Sequence, residues 1–305
     1  MENYDLVIIG GGPTGAAAGL YGARSRLKTL VLERGMVGGQ LAVTEDVENY
    51  PGFESILGPE LGQKLMDHAE KFGAETRTVE VESVDLNSDL KQVTTSDGIF
   101  QCKALIIATG SMHNKLEVPG EDEFSGRGVS YCAVCDGAFF RDKELVVIGG
   151  GDAAVEEGAY LTRFASKVTI IHRRDQLKAQ KILQERAFAN DKMEFLWNST
   201  VEEIKGDGLV SSLYLKDVKT NKYFEKSVDG VFIYVGLTPS TEFLQGSLPA
   251  DEQGHIHVNI KMETKFPGVF AAGDVRAESA RQVASAVGDG STAAIFAEKY
   301  IAEHF

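Results

Sequence analysis

The sequence predicts an α/β protein of two Rossmann-like nucleotide-binding units, one inserted into the other. Three observations carry that prediction. An apolar strand enters a Gly-rich turn and an Ala-rich helix over residues 4–24, and the same pattern returns over residues 144–163. A strand ending in Gly-Asp, the expected last strand of the first unit, comes only at residues 269–274. The second unit therefore interrupts the first.

Each element has a local reason. Tyr4-Asp-Leu-Val-Ile-Ile9 is a short β-branched apolar run, followed by Gly10-Gly-Gly-Pro-Thr-Gly15 and alanines that lead to Arg24. Strand, tight turn and helix follow from that order. Pro13 suits the first helical turn, where a missing N–H costs nothing. Thr29-Leu-Val-Leu32 ends at Glu33 and completes a βαβ unit with parallel strands. In this setting Gly10-x-Gly12-x-x-Gly15 is a dinucleotide fingerprint. The first glycine permits the turn, the second lets backbone approach a pyrophosphate, and the third lets helix pack on strand. The helix N-terminus stabilises the negative charge. Glu33, about 20 residues further on, is placed to accept hydrogen bonds from a ribose hydroxyl.

Ala104-Leu-Ile-Ile-Ala-Thr-Gly110 and Gly230-Val-Phe-Ile-Tyr-Val-Gly236 are each a buried strand ending in glycine, with a proline-bearing segment soon after. They read as the crossings between units. The second fingerprint, Gly149-x-Gly151-x-x-Ala154, follows Glu144-Leu-Val-Val-Ile148. Its second strand, Val168-Thr-Ile-Ile171, ends in His172, Arg173 and Arg174, with Lys178 close behind. A carboxylate there would repel a 2′-phosphate, whereas clustered guanidinium groups bind it through charge-assisted bonds. The first site thus suits FAD or NAD and the second NADP(H).

Cys132-Ala-Val-Cys135-Asp136 lies just before the second fingerprint. A zinc site needs a second ligand pair, and neither a second CxxC nor paired histidines at ligand spacing is present. Two inert core cysteines are the other plain reading. The close spacing suits a reversible disulfide, with Asp136 beside it to shuttle a proton during exchange. Cys102 has no partner in sequence and reads as structural. His255-Ile-His257 would put two imidazoles on one face of a strand, yet with no third ligand they read as surface histidines. Phe139-Phe140 reads first as core packing. If exposed beside a redox centre, the pair would anchor a protein partner.

Composition sets bounds on these readings. The chain has 305 residues, 43% hydrophobic and 25% charged, which is the range of ordered globular proteins and large enough for two domains. A net charge of −14 is the wrong sign for a general nucleic-acid or anionic-membrane binder. Apolar runs fall short of the ~20 residues of a membrane span, and the N-terminus has no signal-peptide pattern. Three cysteines are too few for a disulfide-built secreted scaffold, so a cytoplasmic setting is expected.

In order along the chain stand Gly10-Gly-Gly-Pro-Thr-Gly15, Gly38-Gly39-Gln40, Glu48-Asn49-Tyr-Pro-Gly52, Cys132-Ala-Val-Cys-Asp136, Gly149-Gly-Gly-Asp-Ala-Ala154, His172-Arg-Arg174 and Gly273-Asp-Val275. Together they resemble the low-molecular-weight, bacterial-type thioredoxin reductases, over essentially the whole chain. The resemblance implies an NADPH-binding domain at about residues 116–245, inserted into an FAD-binding domain of residues 1–115 and 246–305. It implies an NADPH-dependent thioredoxin-disulfide reductase, a homodimer in this family, with thioredoxin or a thioredoxin-like protein as acceptor. FAD contacts are implied for Gly10, Gly12, Thr14, Gly15, Glu33, Gly39, Gln40, Asn49, Gly110, Gly273, Asp274, Arg281, Gln282 and Ala284. NADPH contacts are implied for Gly151, Asp152, Ala153, His172, Arg173, Arg174 and Lys178. Lysine at 178 departs from the family's frequent arginine and lacks its fork. Cys132 matches the cysteine that attacks the partner, Cys135 the one nearer the flavin, and Asp136 the acid/base residue. Rival readings are a flavin oxidase or peroxide-system reductase of the same fold, a ferredoxin-type reductase, and a non-catalytic flavin redox switch. The ferredoxin-type relatives lack the CxxC.

Overall fold

The computed structural model describes residues 1–44 and 46–305. The chain forms two compact units, Met1–Met112 with Thr238–Phe305, and His113–Leu237. The second crossing thus falls ahead of the expected residue 245. The reason is packing: Leu244, in the turn Glu242–Leu244, is buried in the first unit's core with Val7, Leu30 and Leu105. The first crossing falls just before residue 115, because Asn114 already donates its amide to Gly236 O at 2.9 Å inside the second unit. Past it, the buried Glu121 carboxylate accepts from Leu116 N at 2.9 Å, Glu117 N at 2.6 Å and the Tyr131 hydroxyl at 2.6 Å.

The first unit carries a seven-stranded sheet. Strands Glu75–Thr78, Thr29–Glu33, Glu2–Ile9 and Gly98–Ile107 run parallel, side by side in that order. The long Gly98–Ile107 strand shares its far edge between two partners. Lys91–Thr95 pairs antiparallel with its first half, and the returning Val269–Ala271 strand pairs parallel with Leu105 to Ile107. That return places Gly273-Asp274 at the carboxyl end of the same sheet as the first fingerprint. The strands bury near-continuous runs of Leu, Val and Ile, as a sheet covered on both faces requires. Helix Pro13–Arg24 buries Thr14, Gly15, Ala16, Ala17, Ala18 and Gly19. These small residues allow close approach to helix Val283–His304, where a Cβ at Gly290 would collide with the Thr14 carbonyl.

The second unit repeats the plan. Its parallel sheet orders Val129–Ser130, Gly230–Tyr234, Glu144–Gly149, Lys167–His172 and Met193–Trp197. An antiparallel sheet of Ser199–Asp207, Leu209–Asp217 and Tyr223–Ser227 follows. Cys102 is fully buried in the first unit, and burial pushes its thiol up to about 12, which suits the packing role expected of it.

Candidate functional site

In the first unit Gly10 has φ +112°, and a Cβ there would strike the Ala108 carbonyl. A Cβ on Gly15 would strike the carbonyl of Gly10. The chain's own geometry demands both glycines. Gly12 is different: its φ is −74° and a Cβ would meet nothing described nearer than 3.8 Å. Gly151 repeats this in the second unit, with φ −91° and no described atom within 4 Å of a Cβ. Each caps the N-terminus of a helix, Pro13–Arg24 and Asp152–Leu161. Internal packing does not need a glycine at either place. Each leaves a cradle that a side chain would fill, at the positive end of a helix dipole, and a diphosphate fits there.

Other expected residues gather around the first cradle. Glu33 accepts from Gly11 N at 2.6 Å on one oxygen and Gly35 N at 2.9 Å on the other. Each oxygen keeps a second lone pair for a ribose hydroxyl. Gly39 approaches the loop so closely that its Cβ would lie 3.2 Å from Gly12 Cα. Gln40 donates to Ser111 O at 2.9 Å, and Ser111 donates to Asp274 O at 3.2 Å. Gly110 has φ +63° and accepts from Ser240 N at 3.0 Å. Gly273, at φ +76°, lies against Thr14, whose hydroxyl a Cβ would strike. Asn49 donates to Gln282 Oε1 at 3.0 Å, and Gln282 caps helix Val283–His304, with Ala284 exposed in its first turn. Burial pushes the Asp274 carboxyl up from its ordinary value, against Ser279 and Arg281, which act to lower it.

Sequence reasoning missed the pair that supports this turn. Arg276 grips Asp289 with Nε at 2.6 Å and Nη2 at 3.1 Å, and Gly273 N donates to the same carboxylate at 3.1 Å. Asp289 shares a buried stripe with Ala286 and Ala293, and an acid on an otherwise small, apolar helix face was the available signal. His255 also departs from expectation. It is buried, at 2% exposure, while His257 is exposed, because His255 is drawn inward by Asp251 and Arg281.

In the second unit Cys132 and Cys135 form a disulfide, with Cα atoms 5.4 Å apart. The short helix Ala133–Asp136 follows Cys132, whose sulfur accepts from Cys135 N at 3.1 Å. Ala133 N donates to the Tyr234 hydroxyl at 3.0 Å. Cys135 is exposed and Cys132 half-buried. Asp136 lines a cavity of about 360 Å³ together with Phe139, Phe140, Arg127 and Leu209. Phe139 is 82% exposed, contrary to core packing, whereas Phe140 packs edge-to-face on Phe232 at 5.5 Å.

Gly150 O accepts from Lys178 N at 2.7 Å, which folds the basic segment over the second fingerprint. Asp152 accepts from Gln180 N and Nε2, both at 2.8 Å, and Ala153 beside it is exposed. Arg173, Arg174 and Lys178 are exposed, and none forms an ion pair with a described residue. His172 is 8% exposed, its ring lies under Gly150, and Nε2 has no hydrogen-bond partner among the described residues. Burial first, then the charges of Arg173, Arg174 and Lys178, hold its pKa below the ordinary imidazole value. Three unpaired cations beside an open helix N-terminus fit a phosphorylated nucleotide. Among the described residues, no group of three or more His, Cys, Asp and Glu is placed to hold a metal ion, and no helix is long and apolar enough to cross a membrane.

Residues 4–290 match the family described as pyridine nucleotide-disulphide oxidoreductase. The chain belongs to that family. As a member, it is a flavoprotein oxidoreductase that uses a pyridine nucleotide. It is similar to the thioredoxin reductase of Bacillus subtilis, at 55% identity over 98% of this chain and 95% of that one. A solved thioredoxin reductase from Lactococcus lactis superposes with TM-score 0.96 at 53% identity, over 98% of this chain and 99% of that one. The thioredoxin reductase of T. acidophilum gives TM-score 0.94 at 38% identity, over 98% and 99%. These resemblances place both Rossmann-like units and the disulfide within the family's fold.

Proposed function

We propose that this oxidoreductase carries electrons from NADPH, through FAD, to the Cys132–Cys135 disulfide, and then to the disulfide of thioredoxin or a thioredoxin-like protein. One observation carries the reading most: the disulfide and the cation-bearing fingerprint occupy the same inserted unit. FAD, when bound to the first unit, would supply the two-electron chemistry that links a nicotinamide to a disulfide. The chain's residues do the rest. Gly10, Gly12, Thr14 and Gly15 present backbone to the FAD diphosphate, and Glu33 takes the ribose hydroxyls. Gly39, Gln40, Asn49, Gly110, Gly273, Asp274, Arg281, Gln282 and Ala284 form the remaining wall. Gly151, Asp152 and Ala153 cradle the NADPH diphosphate, and His172, Arg173, Arg174 and Lys178 take the 2′-phosphate. On the reduced dithiol, Cys132 attacks. The Cys135 amide donates to its sulfur and stabilises negative charge there. Asp136 supplies and removes the proton, and the exposed Phe139, which shares a cavity with Asp136, anchors the partner. The protein acts as a homodimer in the cytoplasm.

The test is the absorption spectrum of purified protein before and after NADPH, then after thioredoxin. A yellow protein with about one FAD per chain, bleached by NADPH and restored by oxidised thioredoxin, is expected. NADPH consumption that needs oxygen but not thioredoxin would indicate a flavin oxidase or peroxide-system reductase. Absence of turnover would indicate a redox switch.

A further inference from the structure

His255 is buried in the first unit, and both its ring nitrogens are engaged. Nδ1 lies 3.2 Å from Asp251 Oδ2 and 3.3 Å from Oδ1, and Nε2 lies 3.2 Å from Arg281 Nη2. Asp251 Oδ1 also accepts the amides of His255 at 2.9 Å and Gln253 at 2.8 Å. Burial acts to raise the Asp251 carboxyl, but those amides and the imidazole outweigh it and hold the group below its ordinary value. An ionised carboxylate only accepts, so the ring hydrogen sits on Nδ1. A guanidinium only donates, so Nε2 must offer its lone pair to Arg281.

Arg281 is held from both sides. Its side chain meets His255, while its backbone adopts φ +54°, a left-handed conformation costly for a non-glycine residue. Its amide donates to Ser279 Oγ at 3.2 Å, and Ser279 Oγ donates to Asp274 Oδ1 at 3.2 Å. Asp251, His255, Arg281, Ser279 and Asp274 therefore form one connected path that ends on the Gly-Asp turn.

We propose that His255 is a positioning residue for FAD, holding Arg281 against the Asp274 turn through its contact with the guanidinium. This rests on the reading of the first unit as the FAD site. The charged groups facing the imidazole are Asp251 and Arg281, with Asp274 beyond them.

FAD release from the holoprotein, followed by flavin fluorescence, tests the proposal. Far-UV circular dichroism on the same samples separates release from unfolding. His255→Leu should release FAD about tenfold faster than wild type, the effect of losing one charge-assisted hydrogen bond. His255→Gln keeps a donor for Asp251 and an acceptor for Arg281, so it should restore release to the wild-type rate. Release from His255→Gln much faster than from wild type would overturn the proposal, and that comparison decides alone if His255→Leu does not fold. Wild-type release from His255→Leu would also overturn it. A wild-type protein that takes up no FAD overturns the cofactor reading, and this proposal with it.

Discussion

The Ala133 amide donates to the Tyr234 hydroxyl at 3.0 Å, across a sequence separation of 101 residues. Ala133 follows Cys132 directly, and Tyr234 pairs in register with Gly149 of the second fingerprint. One side chain thus ties the redox turn to the nucleotide turn. His113, the first residue of the second unit, packs edge-to-face on the same ring at 5.8 Å. Burial, and then the charge of Glu157, push the Tyr234 hydroxyl well above its ordinary value, so it remains a neutral acceptor at working pH.

Tyr234→Phe removes that acceptor and leaves a buried N–H unpaired. The oxidised protein should lose about 1–3 kcal/mol of stability in urea unfolding. Unchanged stability would mean that the amide finds another partner.

Replacing Arg173 and Arg174 with neutral residues should raise KM for NADPH about tenfold or more per arginine, since each charge-assisted bond is worth ~1.5–3 kcal/mol. KM for NADH should move little. Steady-state kinetics with both nucleotides decides the matter, and equal use of the two by wild type would refute a phosphate-reading role.

The two cysteines should not be interchangeable. Prereduced Cys135→Ser keeps Cys132, which attacks a partner disulfide, joins one sulfur and expels the other as thiolate. With no second thiol to resolve it, the mixed disulfide should accumulate and be visible by mass spectrometry. Cys132→Ser should trap far less. Equal trapping by both variants would reverse or remove the assignment.

His172 makes stability depend on pH. Its folded pKa is depressed, so as pH falls below the ordinary imidazole value of about 6.5 the unfolded chain takes up a proton first. The stabilisation from keeping this ring neutral is full above that value and is lost toward the folded pKa. Thermal melts from about pH 7 to about pH 5 should fall more steeply for wild type than for His172→Gln. Parallel curves would show that the ring takes up its proton equally in both states.

Both fingerprints, the basic cluster after the second, and the CxxC turn were legible because each is a local demand on a few neighbouring residues. Gly10 must adopt φ +112° beside Ala108 whatever else the chain does. A disulfide between Cys132 and Cys135 closes across only three positions. The interruption of one unit by the other was legible too, since the closing Gly-Asp strand stands so far from the first fingerprint. Tertiary structure alone decided the rest. Leu244 moves the second crossing by packing into the first unit's core, and Phe139 stays exposed beside Phe140, which does not. Arg276 and Asp289, Asp251 and His255, and Ala133 and Tyr234 become partners only when separate segments meet. Spacing rules describe how one segment of backbone must bend. They are silent on which side chain from elsewhere will satisfy a buried charge or amide, because that partner is supplied by the folded packing.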